Sequence, residues 1–567
     1  MDRQGRISGG VFWAFVLGLA LTGVAVLNAG PLFYVDTGGY LAQGAKVLAR
    51  LMPDMVSGGM AGPASEMASE TGSGGIPGGV TGNRAVIYAL ILGAWVRIFG
   101  VATGFMPQVL ICGLVLWLVA RVMGRRTGQK MGAATPALRI AALSALAGLL
   151  GALPFYSVYL MPDIFAPLLI LLAGLVTARA GVLRWWEAVL IAGLMALAAM
   201  THISHLALAL ALIPVSGVLG VLRWGDDGQP RRWWLAPVLI GLAAGGALVE
   251  RVAFRITVAV VEQSEVVYQP FLTARLIVDG PGMAYLTDVC PAANAATVEP
   301  RAGAATVEPA ANAAIVEPGA DAATVEPGAG EPACALYPLI TAPEYPLRRT
   351  ATHIIFETSQ ERGSLRLLPP EIQRAIAADQ RGFALRVARS RPLALTAAIL
   401  GNTWRQARRV SVRQTLPRPE DLMLLAVVAG EGDGIGEAGA TGHTGMTGAL
   451  ARTRVVTIPA DAHQMMTDWL NLGHRVIYGA AALFLVVVVL APGSLPQVRV
   501  LVLMVLAGIA ANAVICGGLS QPADRYGARA AALLPVAAAL VLSLGWSFRR
   551  RETLPDLQGP SPQHGLG

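Results

Sequence analysis

Charged side chains are scarce in this chain. They make up 14% of its 567 residues, where a soluble domain carries about a quarter. A shortage of that size excludes a soluble globular protein of this length. Cysteine is scarce as well, with four in all, which excludes a disulfide-stapled scaffold. Cys112 and Cys516 sit in apolar runs and read as packing residues. Cys290 and Cys334 sit in the large polar region and form a candidate disulfide if that region faces an oxidising compartment. No secretory cleavage pattern follows the first apolar run, so that run reads as a retained span.

What fills the chain instead is hydrophobic sequence: 54% of residues, with a mean hydropathy of +0.58. Runs of about 15 to 20 apolar residues recur, the pattern of a polytopic helical membrane protein. Ten candidate spans are read at 11–27, 106–122, 138–156, 164–178, 185–200, 206–222, 234–252, 476–490, 500–516 and 530–546. The net charge of +8 does not point to nucleic acid, because the arginines gather at the ends of apolar runs and so mark membrane orientation.

An eleventh run, 85–99, carries Arg97 and is assigned by the positive-inside rule. If it lies on the membrane surface, the densest basic loop (Arg121, Arg125, Arg126, Lys130, Arg139) becomes cytoplasmic, and nearly every other basic loop follows. Arg525 and Arg529 are the exception, a small basic pair left outside. The expected architecture is an all-α polytopic protein with both termini cytoplasmic. It comprises an N-terminal transmembrane module (1–252), an outer domain (253–474), C-terminal helices (475–547) and a cytoplasmic tail (548–567).

This topology places Asp36, Asp163, His202, His205 and the Asp524-Arg525-Tyr526 turn on one outer face, together with the whole outer domain. Within that domain, 292–327 is a tandem nonapeptide with Pro and Glu in each unit, expected to be a solvated spacer. The stretches 57–82 and 430–448 are also expected to be disordered. The segments 265–286 and 354–387 read as part of a small mixed or mostly helical fold. The segment 392–412 reads as an amphipathic helix with Asn402, Arg405, Gln406, Arg408 and Arg409 on its polar side, suited to the bilayer surface.

The stretch Tyr34-Val35-Asp36-Thr37-Gly38-Gly39-Tyr40, the Asn83-Arg84-Ala85-Val86-Ile87-Tyr88 segment, Pro162-Asp163 and Arg525-Tyr526 together resemble the GT-C superfamily of membrane glycosyltransferases. The resemblance implies a polyprenyl-phosphate-linked sugar donor, an envelope glycan, lipid or protein acceptor, and transfer on the periplasmic face of a bacterial inner membrane. Membrane lipids are the surroundings and nucleic acid is not a partner. Asp36 is the candidate general base of an inverting transfer. Arg525, with its planar and permanently charged guanidinium, is the candidate phosphate partner, alongside Tyr526 and Arg84.

Asp163 is a second candidate catalytic carboxylate, able to orient the acceptor or to pair with Arg84 or Arg525; it also reads as a helix-start acid. Tyr40 and Tyr34 are candidate sugar-packing rings or interfacial aromatics. His202 and His205, three residues apart, are read on one helical face, as phosphate contacts or interfacial hydrogen-bonding groups. Two histidines make a weak metal signal. No second acidic pair follows Asp36, so no metal ligand is assigned and a divalent ion stays open. A transporter or flippase of a lipid-linked precursor, and a non-catalytic envelope assembly protein, are the competing readings.

Overall fold

The computed structural model describes residues 3–51, 79–82, 84–125, 134–222, 232–290, 331–342, 350–416 and 452–552. The nonapeptide repeats, the 430–448 loop and most of the 57–82 stretch, all expected to be unfolded, lie outside these residues, as do Asn83, Arg126 and Lys130. The described chain is helical apart from short turns and one strand pair. That pair corrects part of the reading. Gly79–Thr81, expected within a disordered stretch, is a strand running parallel to Glu265–Val267, with Val80 opposite Val266. The β-branched residues on both sides fit a pleated pairing.

Among the described residues, seven helices are long and apolar enough to cross a membrane: Val101–Met123, Pro162–Val182, Ile203–Val221, Leu235–Val261, Ala460–Leu490, Pro496–Leu519 and Asp524–Leu544. Trp185–Met200 is a shorter apolar helix. Two expected spans are each broken in the middle. The 11–27 run is split into Arg3–Ala20 and Gly23–Asn28, with the Thr22 hydroxyl bonded back to Leu19 O at 2.8 Å in the break. The 138–156 run is split into Ala134–Leu149 and Leu153–Val158. There the Tyr478 hydroxyl accepts the Ala152 N–H at 2.8 Å.

The Phe165–Arg179 helix is buried along its whole length. It is apolar all round, so it takes the centre of the bundle. Trp185–Met200, Ile203–Val221 and Pro496–Val514 pack around it. Other crossings depend on small residues. Arg3–Ala20 meets Met106–Met123 so closely that a Cβ on Gly113 would sit 2.1 Å from Ala14 O, the close approach that small residues permit between apolar helices. At one end of the bundle, Arg121 and Arg125 both pair with the fully buried Glu187 at the start of Trp185–Met200.

Leu235–Val261 runs on past residue 252 into the polar region. That region has its own hydrophobic core, which includes Ile277, Leu286, Leu336, Ile355, Phe383 and Val387. Cys290 and Cys334 are joined as a disulfide beside it. Arg386 holds Glu331 at 2.8 Å and also pairs with Asp379, fastening the chain next to Cys334. The expected amphipathic segment is the helix Pro392–Arg408. Ala460–Leu490 has 31 residues, about 46 Å at the helical rise. That exceeds a hydrocarbon core of about 30 Å, so the helix is longer than a single crossing requires.

Candidate functional site

The site begins where the first helices end. Asn28 closes its helix and bonds Gly30 O at 3.2 Å and Pro31 O at 3.1 Å. Leu32 then forms a bridge with Tyr159, with Leu32 N on Val158 O at 3.0 Å and Leu160 N on Leu32 O at 2.9 Å. The next residues start a helix, Val35–Leu51, with Asp36 in its first turn. Thr37 makes this possible. Its Oγ1 accepts from Tyr34 N at 2.9 Å and donates to Leu160 O at 3.1 Å, which ties the residue before the helix to its first turn and pins that turn to Leu160.

Val35–Leu51 lies across Val86–Phe99, the surface helix expected at 85–99, at a point where a Cβ on Gly44 would stand 2.2 Å from Ala89 O. The crossing carries Arg84 to Asp36, Nη2 to Oδ1 at 3.6 Å. Gly39 makes the space: a Cβ there would lie 2.3 Å from the Arg84 Cζ. Tyr40 is enclosed in the same crossing, with its ring 5.0 Å from Tyr88, edge to face. It is therefore a packing residue, which corrects its reading as a sugar-facing ring. Tyr34 is the aromatic that faces the charged groups.

Arg525 comes from the other end of the chain, on the helix Asp524–Ala531. Its backbone is held on both sides: Gln414 Oε1 accepts Arg525 N at 2.9 Å, and the Tyr156 hydroxyl donates to Arg525 O at 2.7 Å. The guanidinium lies 4.4 Å from the Tyr34 ring centre, and Nη2 donates to the Tyr526 hydroxyl at 2.8 Å. Nη1 is buried, has no hydrogen-bond partner among the described residues, and stands 3.9 Å from Asp36 Oδ2.

Asp36 therefore faces two guanidinium groups, and both separations exceed ordinary hydrogen-bond length. Its side chain is 40% exposed, while those of Arg84 and Arg525 are 18% and 11% exposed. Two cations against one carboxylate leave an excess positive charge that opens outward past Asp36. That arrangement suits an anion with planar or tetrahedral oxygens.

A second pair lies behind the first. Arg529 Nη1 donates to Asp163 Oδ1 at 2.8 Å, with both side chains almost wholly buried. Nη2 reaches Ser204 Oγ and Asn512 Oδ1 at 3.2 Å each, and Cys516 Sγ at 3.4 Å. Asp163 was expected to pair with Arg84 or Arg525, or to orient an acceptor. It is committed to Arg529 and enclosed, so it positions that arginine rather than meeting a ligand. The Tyr526 ring is flanked by both guanidiniums, at 4.7 Å from Arg525 and 4.9 Å from Arg529.

Arg529 is the functional residue that sequence reasoning missed. Its signal was present in the spacing of four from Arg525, which puts both on one helical face.

The two histidine rings lie side by side, with centres 5.4 Å apart, although His202 sits just before the helix rather than within it. His202 is extended and precedes the helix Ile203–Val221, where its Nδ1 accepts from Ser204 N at 3.1 Å. Ser204 Oγ lies 2.7 Å from the same nitrogen. Because the Ser204 N–H donates to Nδ1, that nitrogen carries no proton, the Ser204 hydroxyl donates to it as well, and the imidazole proton is on Nε2. Burial, and then the Arg529, Arg525 and Arg251 charges, hold the His202 pKa well below the ordinary imidazole value. His205 is fully enclosed, with Nδ1 bonded to Thr201 Oγ1 at 3.0 Å and Ala198 O at 3.1 Å. Its role is internal to the helix junction.

No protein family, curated protein or solved structure matches this chain.

Its own geometry thus defines the site. It offers one accessible carboxylate, two guanidiniums with capacity to spare, an aromatic floor, and a buried ion pair that stiffens the helix carrying Arg525. Among the described residues no three of His, Cys, Asp and Glu gather as a metal-holding group.

Proposed function

We propose that this protein is a membrane glycosyltransferase of GT-C type, which moves a sugar from a polyprenyl-phosphate donor to an acceptor in the cell envelope. The observation that supports this reading is the Asp36 carboxylate facing Arg84 and Arg525 at 3.6 and 3.9 Å, close enough to share an anionic ligand yet bonded to neither. In the reaction, Asp36 takes the proton of the acceptor hydroxyl as its oxygen attacks the anomeric carbon. The sugar–phosphate bond breaks with inversion, and the departing phosphate collects on Arg525 and Arg84. The Tyr34 and Tyr526 rings lie against the Arg525 guanidinium and keep it partly dry. No metal is assigned to the step.

The same reading carries the ten-span topology, with both termini cytoplasmic and the outer domain in the periplasm of a bacterial inner membrane. It is supported by the common location of Asp36, Arg84, Arg525 and the outer-domain segment 411–416, all within one network of contacts.

The test compares envelope glycans by mass spectrometry in a deletion strain carrying no gene, the wild type, or Asp36→Asn at matched protein level. A species restored by the wild type and not by Asp36→Asn is expected, and its mass difference names the sugar. Full restoration by Asp36→Asn would remove the catalytic-base assignment and favour a lipid-precursor flippase or an assembly role.

A further inference from the structure

The Pro392–Arg408 helix has two faces of opposite character. On one, Leu393, Leu400 and Trp404 are 84%, 64% and 65% exposed. Their spacings of seven and four align them in a single stripe. On the other, Asn402 and Gln406 are fully buried. Asn402 Nδ2 donates to Asp279 Oδ2 at 2.6 Å. The Gln406 amide bonds Ala523 twice, accepting from its N–H at 2.9 Å and donating to its carbonyl at 3.0 Å. Ala523 immediately precedes the helix that carries Arg525 and Arg529.

The docking is close enough to require glycine. A Cβ on Gly527 would lie 1.8 Å from Arg409 O, and one on Gly517 would lie 2.7 Å from Asn402 O. The helix is thereby seated across the end of the apolar Pro496–Val514 helix, on the side of the Arg525 turn. Val514 and Leu519, at that same end, are exposed. Exposed apolar residues thus occur both on this helix and at the adjoining end of a candidate span. Arg405 and Arg408 occupy the last turn of the helix, and the Arg408 guanidinium lies over the Trp404 ring at 5.8 Å. Leucine and tryptophan beside arginine is the composition of a helix lying in the headgroup layer, where the rings meet the acyl boundary and the guanidiniums meet phosphate.

We propose that the Pro392–Arg408 helix lies in the membrane interface, with Leu393, Leu400 and Trp404 inserted among lipid chains. Through the Gln406–Ala523 clamp it sets the depth at which Arg525 meets the headgroup layer. The occupant of the stripe is a phospholipid bilayer containing anionic headgroups. This inference needs membrane residence and does not depend on the sugar-transfer reading.

The test uses the full-length protein in vesicles of phosphatidylethanolamine and phosphatidylglycerol. Cys112 and Cys516 are buried, so single spin labels can be placed by Leu393→Cys, Leu400→Cys and Trp404→Cys, with Glu371→Cys as an exposed control in the same domain. Collision with oxygen, which partitions into lipid, and with a water-soluble nickel chelate then reports depth. The three stripe positions are expected to be oxygen-rich and nickel-poor, and Glu371→Cys the reverse.

Nickel access at the stripe equal to that at Glu371→Cys would overturn insertion. Low access to both reagents that persists in detergent and is lost on dilution would overturn it in favour of a protein partner or a second copy. A label at Gln521→Cys, in the turn before Ala523, reads the coupling. Adding Leu400→Asp is expected to shift that label toward the nickel reagent. An unchanged depth there would overturn the role of the helix in placing the Arg525 turn.

Discussion

Two carboxylates at this site differ because their surroundings differ. Asp163 makes a 2.8 Å bond to Arg529, and both side chains are no more than 3% exposed. Removing one partner of such a pair leaves an uncompensated buried charge, which costs about 3–5 kcal/mol. Asp163→Ala is therefore expected to lower thermal stability in detergent sharply. Asp36→Asn, at a partly exposed position whose ion pairs are long at 3.6 and 3.9 Å, should leave the melting temperature near that of the wild type and, on the proposed function, abolish transfer. Equal melting temperatures for the two variants would refute this division of roles.

His202 gives a pH signature. Its native pKa is held well below the usual value by burial and then by Arg529, Arg525 and Arg251, so the folded protein keeps it neutral. The unfolded chain takes up the proton below about pH 6.5. Protons then favour unfolding, and this residue's contribution falls as the pH drops below that point, by up to about 1.4 kcal/mol per unit. His202→Gln should flatten that part of the stability profile between pH 7 and pH 5. A slope unchanged by the substitution would show that His202 is protonated in the folded state.

At the scale of elements, two glycines of one helix have different tasks. A side chain at Gly44 would meet the Ala89 carbonyl, which is backbone, whereas one at Gly39 would meet the movable end of Arg84. Gly44→Val is expected to separate Val35–Leu51 from Val86–Phe99 and to lower protein abundance and melting temperature. Gly39→Val should fold nearly normally but displace the Arg84 guanidinium from Asp36, with loss of the glycan product at matched protein level. Normal product from Gly39→Val would mean that Arg84 does not serve the site. The breaks at Thr22 and at Gly151–Ala152 also belong to this scale, because they turn the chain so that Tyr34, Tyr156 and Tyr159 surround Arg525.

At the scale of the whole molecule, the polar region that follows Leu235–Val261 has a hydrophobic core separate from that of the helix bundle. The disulfide there spans a sequence separation of 44. Closing a loop of that length stabilises the folded state by about 4 kcal/mol in the chain-entropy account. Replacing both Cys290 and Cys334 by serine is expected to lower the unfolding temperature of that polar region, followed by proteolysis, and to leave the bundle's transition in place. Loss of both transitions together would show that the two cores unfold as one unit.

Much of this molecule was legible in its sequence because membrane insertion is a local property. Charge scarcity and apolar runs are enough to place helices such as Met106–Met123, Phe165–Arg179 and Pro496–Val514, and helical periodicity placed Pro392–Arg408. Asp36, Arg84 and the Arg525-Tyr526 pair also stood out, since polar residues are conspicuous beside apolar runs. Pairing was not legible. Asp163 and Arg529 are 366 residues apart, and nothing local distinguishes Arg529 from Arg525 as the partner of that carboxylate. Nor could sequence show that Tyr40 and His205 are sealed in helix contacts, or that Gly39 makes room for Arg84. Those outcomes depend on which helix faces meet, and packing between distant segments decides that.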